Sequence, residues 1–135
     1  MSQALDAAEN NVVLDMRADR SGLIWVGSTV GLSSFDRTAG QVTRYRHDPE
    51  DPASLSAGRV WSVYEDAQGR IWVGTESSLD RLDRATGRFT HFKNTPDDPN
   101  ASYGIVSAIT GDGAGGLWLG VYGRGLERFD PEREQ

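Results

Sequence analysis

One short phrase is written three times along this chain: DRSGLIWVG, DAQGRIWVG and DGAGGLWLG, centred on Trp25, Trp72 and Trp118. The copies stand 47 and 46 residues apart. A fixed period of this length marks solenoids, propellers or arrays, in which each unit buries its apolar face only against its neighbours. The chain is therefore a repeat protein.

Each copy has a local physical reading. Asp19, Asp66 and Asp112 stand three residues before Gly22, Gly69 and Gly115. That is the arrangement of a tight turn, in which a carboxylate accepts a nearby backbone N–H and a glycine takes positive φ. The apolar run that follows is three or four residues long, rich in β-branched and aromatic types, and closed by Gly27, Gly74 or Gly120. It reads as a strand buried on both faces, with a glycine where another backbone must come close.

The rest of each unit falls into step with the phrase. In the first, strands are expected at Val13 to Arg17, Leu23 to Val26, Leu32 to Phe35 and Val42 to Tyr45. In the second they are expected at Val60 to Tyr64, Ile71 to Val73, Leu79 to Leu82 and Phe89 to Phe92, and in the third at Ile105 to Ile109, around Trp118 and at Leu126 to Phe129. Asp36 to Gly40 and Asp83 to Gly87 spell the same turn, and the connectors HDPEDPASLS and NTPDDPNASY place Pro49 and Pro52 in step with Pro96 and Pro99. Proline there rigidifies a loop and forbids strand pairing. The expected organisation is a short tail over residues 1–10, repeats over 11–56 and 57–102, and a third over 103–135 that lacks its outer strand. Four strands joined by short turns make an antiparallel meander, so the fold class is all-β. Meanders of about 47 residues are the blades of a β-propeller, here an incomplete ring of about three.

Composition narrows the function. The formal net charge is −6 and the arginines are scattered, so a nucleic acid would bind against the field. Cysteine is absent, which excludes disulfides and thiolate metal sites. No stretch is apolar enough to span a membrane, and residues 1–11 lack the charged and apolar regions of a signal peptide. The glycine content, 16 residues, is accounted for by turns at strand boundaries.

The phrases D-x-x-G-x-[IL]-W-[VL]-G, G-L-x-x-F-D, G-x-F-x-x-[YF] and H-D-P-x-D-P-x-S-L together resemble the two-component regulator propeller repeat, known from sensor ectodomains of bacterial hybrid histidine kinases. The likeness runs from residue 10 to 130. It implies a sensor or ligand-recognition module, often for carbohydrate-derived signals, with a periplasmic location and coupling to a kinase. Proteins of that family carry many blades, then a further domain, a membrane span and kinase parts. Here under three full blades are written, and a propeller needs about four or more to close. The expected partners are accordingly further blades of a larger parent protein or copies of the same chain, a dimer supplying six blades' worth of phrases, together with a small-molecule or carbohydrate ligand.

Candidate site residues are weighed against plainer roles. Trp25, Trp72 and Trp118 resemble a sugar platform in type, but their place in a short buried strand of every unit makes inter-blade core the better account. Trp61 differs: its equivalents are Leu14 and Ser107, so the blade does not demand an aromatic there, and the first strand lines a propeller's channel. Local packing is still the stronger expectation for it. Glu76, Tyr122 and Arg124 in the second-to-third-strand turns, with Arg59 and Tyr103 in the connectors, vary on a repeated scaffold, where function can be grafted. Any one of them taken singly is more simply a solvated loop residue.

His47 and His91 are at non-equivalent positions and no pair has ligand spacing, so neither zinc nor another cofactor is expected. Glu50-Asp51 and Asp97-Asp98 read as solvated turns. The glycine-rich stretch 111–116 lacks the Lys-Ser/Thr of a phosphate loop and reads as a hairpin. No Ser-His-Asp or Cys-His set can be nominated. A non-catalytic sensing module is therefore the leading function. The alternative is an enzyme similar to the streptogramin B lyases, seven-bladed propellers with a related G-x-[IL]-W phrase that use histidine and a divalent metal; neither histidine here matches that site. A third reading is a self-assembling fragment with no retained activity.

Overall fold

A computed structural model of the chain describes residues 11–92 and 104–134. The tail over 1–10, the connector residues Pro96, Asp97, Asp98 and Pro99, and Tyr103 lie outside the described residues. Within them are eleven strands and no helix: β1 (Val13–Ala18), β2 (Leu23–Ser28), β3 (Gly31–Asp36), β4 (Gln41–Tyr45), β5 (Val60–Glu65), β6 (Ile71–Thr75), β7 (Leu79–Asp83), β8 (Arg88–Phe92), β9 (Val106–Gly111), β10 (Leu117–Val121) and β11 (Gly125–Phe129). They form three antiparallel meanders: β1-β2-β3-β4, β5-β6-β7-β8 and the three-stranded β9-β10-β11.

The repeated aspartate organises each hairpin between the first two strands. Asp19 Oδ1 accepts the Ser21 and Leu23 N–H groups, Asp66 Oδ1 those of Gln68 and Arg70, and Asp112 Oδ1 those of Ala114 and Gly116. The glycine ending each turn has positive φ: 96° at Gly22, 79° at Gly69 and 95° at Gly115. The other carboxylate oxygen reaches into the core. Trp25 Nε1 donates to Asp19 Oδ2 and Trp72 Nε1 to Asp66 Oδ2, each at 2.8 Å. A buried indole N–H must find an acceptor, and the turn supplies one six residues upstream.

Blades stack face to face. Trp25 and Leu32 of the first blade pack with Val60, Val63, Ile71, Val73 and Leu82 of the second. Trp72, Leu79 and Phe92 of the second pack with Val106, Ile109, Leu117, Leu119 and Phe129 of the third. Aromatic contacts tie the second joint, with ring centroids 5.5 Å apart for Trp72 and Phe129 and 5.2 Å for Phe92 and Phe129. Arg84 of the second blade crosses the first joint to Asp19 Oδ2 at 3.1 Å and lies over the Trp25 ring.

Two sequence expectations change in the structure. Gly27, Gly74 and Gly120 do not close their strands but sit inside β2, β6 and β10. The reason is the close approach of the neighbour: a Cβ at Gly27 would lie 2.6 Å from Val60 Cγ1 and 3.0 Å from the Val60 carbonyl, and one at Gly74 would strike the Val106 carbonyl. Burial on both faces holds for β6 alone. β10 alternates, and Trp118 is 36% exposed where Trp25 and Trp72 are 2% and 0%. No blade covers the Trp118 side among the described residues, and Arg128 takes Asp112 Oδ2 at 2.8 Å, the atom that elsewhere receives the indole.

Candidate functional site

The first strand of each blade carries a β-bulge at the same repeat position. Pairing slips between Val13 and Asp15, between Val60 and Ser62, and between Val106 and Ala108, leaving Leu14, Trp61 and Ser107 as the extra residues. A bulge re-aims a side chain and bends its strand. β1 lies beside β5 and β5 beside β9, so the three bulges belong to the innermost strands of adjacent blades. Trp61 is half-buried, and its indole N–H is enclosed without a hydrogen-bond partner. Ser107 Oγ donates to the Gly120 carbonyl at 3.2 Å.

Strand register fixes what else is near. Val60 pairs with Thr75, so Arg59, just before β5, stands at the same end of the second blade as the β6–β7 turn that carries Glu76. In the third blade the Tyr122 N–H donates to the Ile105 carbonyl at 2.9 Å, tying the approach to β9 to the β10–β11 turn. The first blade does the same through the Thr29 N–H and the Val12 carbonyl at 3.0 Å. Arg59, Trp61 and Glu76 are thus brought to one end of one blade, and Tyr122 and Arg124 to the matching end of the next. Tyr122 is 76% exposed, and Arg124 pairs with Glu127 at 2.9 Å.

Behind this end lies a buried polar group that sequence reading passed over. Asp80 on β7 is fully buried; its Oδ2 accepts the Ser56 N–H at 2.8 Å and its Oδ1 the Ser78 hydroxyl at 2.6 Å. Ser56 Oγ is 2.7 Å from Thr75 Oγ1, and His91 Nε2 is 2.6 Å from the Ser54 carbonyl. Burial pushes the Asp80 carboxyl above its ordinary range, with the neighbouring His91 charge opposing. The network fastens residues 54–56 to the β6–β7 turn and so fixes the approach to Arg59 and Trp61. A signal was present, since the equivalents of Asp80 are Ser33 and Glu127, so the position varies on a repeated scaffold. His47 serves the same connector, its Nδ1 being 2.7 Å from the Leu55 carbonyl.

The opposite end of the second blade has a cleft of about 390 Å³ lined by Arg70, Arg81 and Arg84. Those charges are engaged internally. Arg70 pairs with Asp66 at 2.6 Å, Arg84 pairs with Asp19, and Arg81 lies over the Trp72 and Phe92 rings. The turn end of the blades is the better candidate site, because its Arg124–Glu127 pair is local to one blade, whereas the arginines of the cleft tie the core and the joint between blades.

Comparison with known proteins places this geometry. The fold is that of a β-propeller built from repeated four-stranded blades. The family model described as two component regulator propeller matches residues 54–77, from the fastened connector through β5 and β6 to the turn of Glu76. Histidine kinase P4 of Formosa agariphila is 36% identical over 52 residues, covering 38% of this chain and 4% of the kinase. The extracellular domain of a hybrid two-component system from B. thetaiotaomicron superposes with a TM-score of 0.78 at 24% identity, covering all of this chain and 19% of that one. The extracellular domain of a one-component system from the same organism gives 0.73 at 28% identity, covering 93% of this chain and 18% of that one. The chain therefore spans less than a fifth of the length of each of these relatives.

Proposed function

We propose that this chain is a non-catalytic sensing module that binds a small polar ligand, an oligosaccharide being the best chemical fit, at the turn end of its blades. The observation that supports the reading most is the likeness across nearly the whole chain to an extracellular domain of a bacterial signalling protein. By the same likeness the ligand is met outside the cytoplasm and the signal passes to a kinase or regulator. The residue types suit a sugar. Trp61 and Tyr122 offer aromatic faces, and Arg59, Glu76 and Arg124 offer charged hydrogen-bonding groups. Both histidines on which a catalytic reading would draw lie against main-chain carbonyls of the connector.

Calorimetric titration with a panel of oligosaccharides tests this. Binding that is lost in Trp61→Ala and weakened in Glu76→Ala and Tyr122→Ala is the expected result. Binding that survives all three substitutions would put the ligand elsewhere.

A further inference from the structure

We propose that two copies of this chain join head to tail into a six-bladed ring, using at both chain-to-chain joints the contact already made twice inside the chain. Each internal joint has a leading face and a trailing face. The leading face presents Val60 and Val63 in the second blade and Val106 and Ile109 in the third, all buried. The same repeat positions in the first blade are Val13 and Met16, which are 52% and 60% exposed. The trailing face presents Trp25 and Leu32 in the first blade and Trp72 and Leu79 in the second, all buried. In the third blade these positions are Trp118, at 36%, and Leu126, at 69%. Four of the chain's exposed large apolar side chains are thus the two unmated halves of one joint.

The steric fit is carried by glycine. Gly27 and Gly74 leave room for Val60 and Val106 of the next blade, whereas the atoms nearest a Cβ at Gly120 are Ala108 Cβ and Ser107 Oγ of its own blade. The socket is present, and Val13 is the residue that fits it. The charge pair across the first joint has counterparts on the free faces, where Asp112 is already held by Arg128 of its own blade. Arg84 reaches Asp19 across the first joint, and Arg37 and Asp112 hold those repeat positions on the free faces. A heterologous contact of this kind closes a ring when the rotation allows, and two chains give six blades, within the usual range for closed propellers.

Light scattering on the purified 135-residue chain at micromolar concentration decides the matter. The expected mass is that of two chains. Val13→Asp and Leu126→Asp, on opposite faces and both exposed, should each give the mass of one chain with an unchanged circular dichroism spectrum. An equimolar mixture of the two variants should regain a two-chain species through the one intact joint that remains. Gly120→Ala, which fills the socket, should weaken association as well. A single-chain mass for the unsubstituted protein would overturn the proposal and leave both faces to other blades. So would a Val13→Asp variant that stays dimeric, which would mean that two Trp118 faces meet each other, and so would three or more copies.

Discussion

Trp72 Nε1 lies 2.8 Å from Asp66 Oδ2, so the residue that shapes the hairpin also satisfies the largest side chain of the core. One carboxylate thereby couples local turn geometry to inter-blade packing. Asp66→Ala removes an acceptor from a buried indole and from two turn N–H groups, and the loss should be about 3 kcal/mol by urea unfolding. Asp112→Ala, whose carboxylate holds only its turn and Arg128, should shift the midpoint far less. Equal losses at the two positions would show that the indole contact contributes nothing.

The same carboxylates set an acid limit on stability. Burial pushes Asp19 up, but hydrogen bonds from Ser21, Trp25 and Leu23 and the Arg84 charge outweigh it and hold the group below its ordinary 3.8. Asp66 is likewise held down, with burial outweighed by the Trp72 indole and by Arg70. A group lowered in the folded state stabilises the fold above its unfolded value, and that stabilisation disappears as pH falls through the lower, folded value. Asp80 has the opposite sign. Burial raises it, so the folded chain takes up that proton first and stability rises as pH falls toward 3.8. The urea midpoint should therefore climb gently on acidification and collapse below 3.8. Asp80→Asn should flatten the climb, and Asp66→Asn should soften the collapse.

The repeat, the hairpin turns and the strand order were legible because each is a local matter: an aspartate and a glycine at fixed spacing, then an apolar run. The exposure of Trp118 was not legible, since its phrase is spelled as in the other units. What differs is the absence of a neighbouring blade among the described residues, which no residue of the unit encodes. The bulges at Leu14, Trp61 and Ser107 were hidden because a bulge leaves a strand's composition intact. They show only when β1, β5 and β9 are set against their partners. Asp80 was overlooked for a related reason: its partners Ser56 and His91 come from a connector and an outer strand, and only the folded register brings them together.

Glycine inside a strand is a second point where local and long-range demands meet. A Cβ at Gly74 would strike the Ser62 hydroxyl and the Val106 carbonyl, one of them backbone and unable to swing away. Gly74→Ala should therefore separate the second and third blades and lower stability by about 1 to 3 kcal/mol. At Gly120 the nearest atom to such a Cβ is Ala108 Cβ at 3.3 Å, so Gly120→Ala should leave the unfolding midpoint of the single chain close to that of the parent. Thermal unfolding followed at the tryptophan band compares the two. A Gly74→Ala protein as stable as the parent would mean that the blades are free to slide apart at this point.

The sharpest contrast lies between two tryptophans in the same repeat position. Trp72 is fully buried, bonded to Asp66, and in aromatic contact with Phe92 and Phe129. Its replacement by alanine should remove about 3 to 5 kcal/mol, a large part of what a domain of this size possesses. Trp118 is partly exposed, and the carboxylate at its repeat position is held by Arg128. Its replacement should alter the fold's own stability by no more than about 1 kcal/mol. Association would mask that difference, because a joint between chains would bury Trp118 as the internal joint buries Trp72. The pair of substitutions is therefore best measured on the Val13→Asp background, where the joint is broken from the other side. There Trp72→Ala should unfold at much lower urea than Trp118→Ala, and equal midpoints would mean that Trp118 already belongs to the core of the single chain.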